Sequence, residues 1–327
     1  MVEDLVRKRR FAAAIAMAVR APSVHNTQPW RWRLTGDAIE LHADRDRHLQ
    51  ATDPTSRALL MSCGATLHHL RVALSVHGLA AAVAYLPDDS DPDHLATVTV
   101  TPADPTQDDI ELAAAITHRE SDRRRYDSRP VPSAILRAVA SSAPHFGVVA
   151  RLIPPPLRTP LADITHDAAA RHAVDPEYQR ELATWSGRHG TPDGVPAANT
   201  PPQRLGDAIT VRAFASPELT DIPETSDGSE WLVLGTPADD PRARLRAGEA
   251  ASALLLTATR YGLASCLQTE PLGIPDLAAT IGADVMFDCA FPQALVRFGW
   301  VSSHAAPLPR TPRRPLADII DTALPVS

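Results

Sequence analysis

Two stretches of this 327-residue sequence repeat each other, SCGATLHHLRVALSVHGLAAAV at 62–83 and RAGEAASALLLTATRYGLASCL at 246–267. Gly64 aligns with Gly248, Leu70 with Leu254 and Gly78-Leu79 with Gly262-Leu263, at a constant offset of 248 − 64 = 184. Each copy sets apolar residues at helical spacing and places a glycine just past the last turn, where a left-handed residue stops a helix. Each is followed, after a loop, by a β-like run, HLATVTVT at 94–101 and ALVRFGWV at 294–301. A repeat of this order predicts two related halves, and the length is enough for one large domain or two ordinary ones.

A fainter echo precedes the helices. AIAMAVRAPSVHN (14–26) resembles ILRAVASSAPHFG (135–147), with the Ala-Pro pairs offset by 143 − 21 = 122. The second copy therefore carries 184 − 122 = 62 extra residues, most of them within 160–229. The insertion starts with helix-like PLADITHDAAARHA and DPEYQRELATWS and continues as GRHGTPDGVPAANTPPQRLG. Proline and glycine at that density exclude regular elements, and a long loop of this kind is expected to be a functional lid or disordered. Residues 186–229 are the expected lid, with Leu205, Ile209, Val211 and Phe214 as its apolar face. Further strands are expected at RWRLTG and AIELHAD (31–44), VVARLIP (148–154) and EWLVLGT (230–236), and the loop ASCLQTEPLGI (264–274) follows the second repeat helix. The mixture predicts an α+β fold rather than a regular βαβ alternation. No glycine-rich dinucleotide fingerprint or P-loop follows a strand.

Composition narrows the function class. The net charge of −7 offers no general attraction to nucleic acid or anionic membranes. No apolar run approaches the roughly 20 residues of a membrane-spanning helix, and Met1 to Arg20 lacks a signal-peptide layout; a cytoplasmic protein is expected. Cys63, Cys266 and Cys289 are widely spaced and read as reduced, buried thiols. Lys8 is the one lysine among 32 basic residues, so an anion held by a side chain here is held by arginine. His68 and His69 are adjacent and point to different helix faces, and no metal site is expected. No Gly-x-Ser-x-Gly elbow marks a serine hydrolase.

The stretch APSVHNTQPWRW (21–32) looks like the Pro-Ser-x-x-Asn-x-Gln-Pro-Trp signature of the FMN-dependent nitroreductase fold. ITHRESDRRRYDSRPVP (116–132) resembles that fold's opening Arg-x-Ser-x-Arg segment, and TPRRPLADII (311–320) its C-terminal arginine segment. With Pro-Ser first and Arg-x-Ser second, the set is most similar to the Acg family of dormancy-associated mycobacterial proteins, in which two such folds are fused. The resemblance implies a tandem nitroreductase-like fold whose halves, 1–108 and 109–327, mimic the homodimer, with the lid in the second half.

It also implies a site. Arg119, Ser121 and Arg123 (or Arg124, since Tyr126 comes one residue late) would contact phosphate and flavin near the start of a helical turn, where backbone N–H groups favour an anion. Ser23 and Asn26 would reach the flavin across the interface, with His25 and Gln28 beside them. Gln268, Thr269 and Glu270 would pass its reactive edge, and Arg313 or Arg314 would hold phosphate, with Arg310 a third candidate. Trp30 and Trp32 read as anchors of the following strand. No catalytic residue is identified. The first half lacks Arg-x-Ser-x-Arg and the second half's Pro-Ser motif has decayed to APHFG, so one FMN per chain and a monomer are expected. The activity implied is NAD(P)H-dependent reduction of a nitroaromatic or quinone-type small aromatic acceptor. The alternative is a flavin-sequestering protein whose lid prevents turnover.

Overall fold

The computed structural model describes residues 2–203, 209–220 and 227–321. The chain begins with helix α1 (Val2–Ala18), the hairpin β1 (Trp30–Thr35) and β2 (Ala38–Ala43), helix α2 (Arg57–Val76), and strands β3 (Leu79–Tyr85) and β4 (His94–Pro102). Helices α3 (Gln107–His118) and α4 (Ser133–Ala140) lead to β5 (Val149–Leu152). The insertion contributes α5 (Pro155–Ala173), α6 (Pro176–Trp185) and the short strands β6 (Ser186–Arg188) and β7 (Val195–Pro196). Last come β8 (Glu230–Thr236), α7 (Pro241–Arg260), β9 (Ala264–Gln268), α8 (Pro275–Asp284), β10 (Phe291–Gly299) and β11 (Ile320–Asp321).

Two main sheets result. The first has the order β11-β1-β2-β4-β3, antiparallel except that β11 lies parallel to β1. A strand from the end of the chain thus completes the sheet made by its beginning. One face of this sheet packs on α1 and α2 through Phe11, Ile15, Trp30, Trp32, Leu41, Leu67 and Leu70. Its other face alternates toward solvent, the pattern of a sheet buried on one side. Both tryptophans are fully buried strand anchors.

The second sheet, β5-β8-β10-β9, is antiparallel throughout. Leu232 and Leu234 face α7, while Trp231 and Val233 face the core that includes Leu161, Leu277 and Ile281 of α5 and α8. Burial on both faces explains why β8 is a continuous apolar run rather than an alternation.

The repeat helices form the centre. Each is 20 residues long, and Gly78 and Gly262 beyond their ends have φ of +76° and +77°. α2 and α7 cross at their repeat glycines. A Cβ on Gly64 would sit 1.9 Å from the Leu245 carbonyl oxygen, and one on Gly248 would sit 2.0 Å from that of Met61. Met61 and Leu245 are themselves equivalent in the repeat, so the crossing is reciprocal.

Several expectations change. α2 is long and apolar enough to cross a membrane by composition, but 83% of that window is buried inside the protein. Its apolar length serves the helix crossing. β3 and β9 are strands not anticipated from sequence: four of the seven residues of β3 are alanine, a poor strand signal, and β9 is fixed by its ladder to β10. Cys289 is exposed, unlike Cys63 and Cys266. Leu205 of the expected lid face lies outside the described residues.

Candidate functional site

A cleft opens where α2, α7, the turn at 22–26 and the end of β9 meet. Small or slender residues of the helices, Ala58, Ser62, Ala65 and Ala251, form its floor, and Ser23, His25, Ser121, Arg123, Gln268 and Thr269 line it. A narrower niche shares Ser23, Ser121 and Arg123 and continues to Asn26, Arg119, Thr311 and Arg313. The cleft and the niche thus adjoin at Ser23, Ser121 and Arg123, and the niche adds Arg119 and Arg313. A larger hollow of about 530 Å³ between α8 and the segment before β10 contains none of the expected cofactor-binding residues.

The turn at 21–29 is locally unusual. His25, Asn26 and Gln28 have φ of 45°, 54° and 52°, left-handed values that cost about 1–3 kcal/mol each in such residues. Hydrogen bonds offset this: Val24 N–H donates to Ser62 Oγ at 3.0 Å, and Gln28 N–H to Ser23 Oγ at 3.0 Å. The two amide side chains hold carbonyl groups of the insertion and of the C-terminal segment. Asn26 Nδ2 donates to the carbonyls of Gly194 (3.1 Å) and Pro312 (3.2 Å), and Gln28 Nε2 to Pro192 (2.9 Å). Asn26 still borders the niche, whereas Gln28 is a buried strut that fastens the insertion to the first half.

The Arg119–Arg123 segment is not a helical turn. Arg119 caps the C-terminus of α3, and the chain then runs extended, with Ser121 bridging Ser265 and Asp122 N–H donating to the Ser265 carbonyl at 3.0 Å. No helix N-terminus contributes here, so side chains must bind any anion. Arg119 is buried; Nη2 donates to the Arg20 carbonyl at 3.2 Å and Nε has no partner. Burial pushes Arg119 down to about 10, and desolvation together with the Arg119 charge pushes Arg313 down to about 9. Arg313 spends its donors on the carbonyls of Val19, Arg20 and Ala21 at the end of α1, which leaves Arg119 the freer of the two. Two guanidiniums forced together away from water, one with an unpartnered N–H, fit a phosphate.

Arg124 and Arg314 are placed elsewhere. Arg124 pairs with Asp122 (Nη2 to Oδ2, 2.7 Å) and donates to the Ala306 carbonyl at 2.8 Å, because Tyr126 is fixed in the core behind it. Arg314 pairs with Asp44 at 3.1 Å and donates to the Gln28 carbonyl, so it holds the C-terminal segment on the first sheet. Arg310 does not border the niche.

Two residues of the insertion, Arg212 and Phe214, also line the cleft, and the Arg123 guanidinium sits 4.8 Å from the centre of the Phe214 ring. Arg212, which no local pattern marks in its irregular segment, donates to His25 Nε2. That contact assigns the proton of neutral His25 to Nδ1, which is buried without a partner. Burial first, then the Arg212 and Arg123 charges, hold His25 well below its usual range. Arg212 Nε lies 3.8 Å from Glu270 Oε1, which also takes bonds from His172 and Tyr178, both at 3.1 Å. Burial raises the Glu270 carboxyl, but the His172 bond and Arg212 charge outweigh it and leave it below the usual range. Ile209 packs into the α5–α8 core with Val211 against it, rather than facing the cleft. With Arg212 and Phe214 in place the cleft holds about 80 Å³, less than a tricyclic ring needs.

No family profile matches the chain. It is 46% identical over 310 residues to Rv3131 of Mycobacterium tuberculosis, provisionally named an NAD(P)H nitroreductase, covering 94% of this chain and 90% of that protein. It is 36% identical over 329 residues to Acg of the same organism, named in the same way, covering 98% and 97%. Rv3127, which has no functional name, is 33% identical over 320 residues, covering 94% and 91%. Among solved structures, the FMN-dependent nitroreductase NfnB of Mycobacterium smegmatis in complex with NADPH is 18% identical, with 64% of this chain and 96% of that one covered and a TM-score of 0.41. A nitroreductase with bound FMN from Bacteroides fragilis is 16% identical, with 60% and 91% covered and a TM-score of 0.38.

Proposed function

The chain belongs to the family of Acg, Rv3131 and Rv3127 of Mycobacterium tuberculosis, and we propose that it is an FMN-binding, nitroreductase-like oxidoreductase. The observation that carries this reading is the niche itself: Arg119, desolvated and with an unpartnered Nε, faces a space that adjoins a cleft floored by small side chains. Bound there, FMN would supply hydride transfer between a reduced nicotinamide and a nitroaromatic or quinone-type acceptor. Arg119 would bind its phosphate beside Arg313, with Arg123, Ser23 and Ser121 at the join between niche and cleft. Gln268 and Thr269 would border the ring edge, and the neutral His25 would offer Nδ1–H as a hydrogen-bond donor. The two sheets, each packed on its own 20-residue helix, support an origin by duplication.

The donor set fits FMN, and room for its ring would require Phe214 and Arg212 to move from the positions they hold in the cleft. That condition supports a second reading, a flavin-sequestering protein with little turnover, because the same residues would cover the bound ring. Mixing FMN-loaded protein anaerobically with NADPH or NADH separates the two. Rapid bleaching of the flavin is the result expected of an oxidoreductase; no bleaching within minutes would move the assignment to sequestration.

A further inference from the structure

On the solvent-side face of the first sheet, three side chains converge that the flavin site does not use. Leu41 points into the core, so Glu40 and His42 on either side of it point outward together. Between Leu41 and His42 the register with β4 shifts: Leu41 pairs with Ala96 but His42 with His94. The extra residue, Leu95, is fully buried. Without this bulge Leu95 would oppose His42; with it, Leu95 fills the core and His94 joins the outer face, the re-aiming that bulges permit.

The three donors are close. The His42 and His94 rings stack at 4.5 Å with 17° between their planes, His42 Nε2 is 3.1 Å from Glu40 Oε2, and one ligand atom from each residue lies within 4.8 Å of the others. Each residue also has an outer partner. Thr35 Oγ1 donates to Glu40 Oε1 at 2.7 Å, Asp91 Oδ2 lies 3.8 Å from His42 Nδ1, and Thr97 Oγ1 bonds His94 Nε2 at 2.9 Å. Such partners orient ligands and fix tautomers around a metal. Each residue thus has one ligand atom to offer a single cation, which the two imidazoles would share by rotating out of their stack. Arg33, 3.7 Å from Glu40 Oε2, is the competing positive charge, and its side chain is half-exposed.

We propose that Glu40, His42 and His94 form a binding site for a divalent transition cation, zinc by its two-imidazole, one-carboxylate donor set, which clamps β2 to β4 at the bulge. Nothing in sequence spacing signals it, because His94 arrives from 52 positions away (94 − 42) through the ladder.

The test uses tag-free protein, loaded with zinc against a chromogenic chelator and separately with cobalt. Expected are one tight zinc per chain, cobalt ligand-field absorption of imidazole coordination, and a loss of roughly tenfold or more in affinity for both His94→Gln and Glu40→Gln. Wild type that binds zinc no better than the two variants would overturn the proposal. Should either variant fail to fold, wild-type NMR decides: cobalt must shift the ring protons of both His42 and His94, and unshifted rings would overturn it equally.

Discussion

Gly64 and Gly248 meet each other's helix at the same point of the repeat, each with its Cα side pressed on a backbone carbonyl, of Leu245 and Met61 respectively. The approach has no room for a methyl group at either position. Gly64→Ala and Gly248→Ala should therefore each destabilise the protein by about 1–3 kcal/mol or more, as overpacked sites do. The double variant should lose less than the sum, since separating the helices once relieves both clashes. Urea midpoints of the four proteins check this, and strictly additive losses would contradict a shared crossing.

The repeat also explains why one flavin per chain is expected. Ala65 borders the cleft, and its counterpart at the repeat offset is Glu249, buried and bonded to Arg71 (2.9 Å) and Tyr85 (2.6 Å). Where the first copy has its open turn, the second has Phe146, packed edge-on to His68 at 5.3 Å. Glu249 and Phe146 thus occupy positions equivalent to the floor and the turn of the cleft. Quantitative extraction should give one FMN per chain, and two would refute this.

Much of this was legible in the sequence, for stated physical reasons. Glycine at a helix end and apolar spacing exposed α2 and α7, and alternation exposed β1, β2 and β4. The alanine-rich β3 carries little side-chain signal, and a two-residue strand such as β11 carries none. At the site, the motif residues gathered as Ser23, Ser121, Arg119 and Arg123 around one space. Asn26 and Gln28 bind the insertion, a role that depends on where residues 192–194 dock and which no local pattern encodes. Arg212 was invisible for the same reason.

The insertion's anchoring changes how a lid should be tested. Removing residues 190–226 would take Ile209 from the core and remove the Gly194 and Pro192 carbonyls that Asn26 and Gln28 bind. Phe214→Ala removes only one side chain lining the cleft. It should leave the melting temperature nearly unchanged and speed both FMN uptake and flavin reduction several-fold. Unchanged rates in stopped flow would show that Phe214 is no gate.

Acid should weaken the fold through the helix interface. His68 Nδ1 lies 2.8 Å from Ser252 Oγ and His69 Nδ1 2.7 Å from the same oxygen. Burial pushes His68 down to about 3, and burial followed by the Arg119 charge holds His69 well below its usual range. Unfolded, both titrate near 6.5, so the unfolded chain binds more protons below that pH and stability falls as pH drops from about 6.5 toward 3. The slope is about 1.4 kcal/mol per pH unit for each histidine. His68→Gln should lose less stability between pH 7 and pH 5 than the parent, and equal losses in urea titrations would contradict the assignment.

The central claim is that Arg119 receives the phosphate of FMN. Isothermal titration of FMN and of riboflavin into parent and Arg119→Ala apoprotein measures this directly. A charged hydrogen bond contributes about 1.5–3 kcal/mol, so the variant should bind FMN roughly tenfold to a hundredfold more weakly while its affinity for riboflavin, which has no phosphate, stays close to the parent's. Equal losses for the two ligands, or no loss for FMN, would contradict the account.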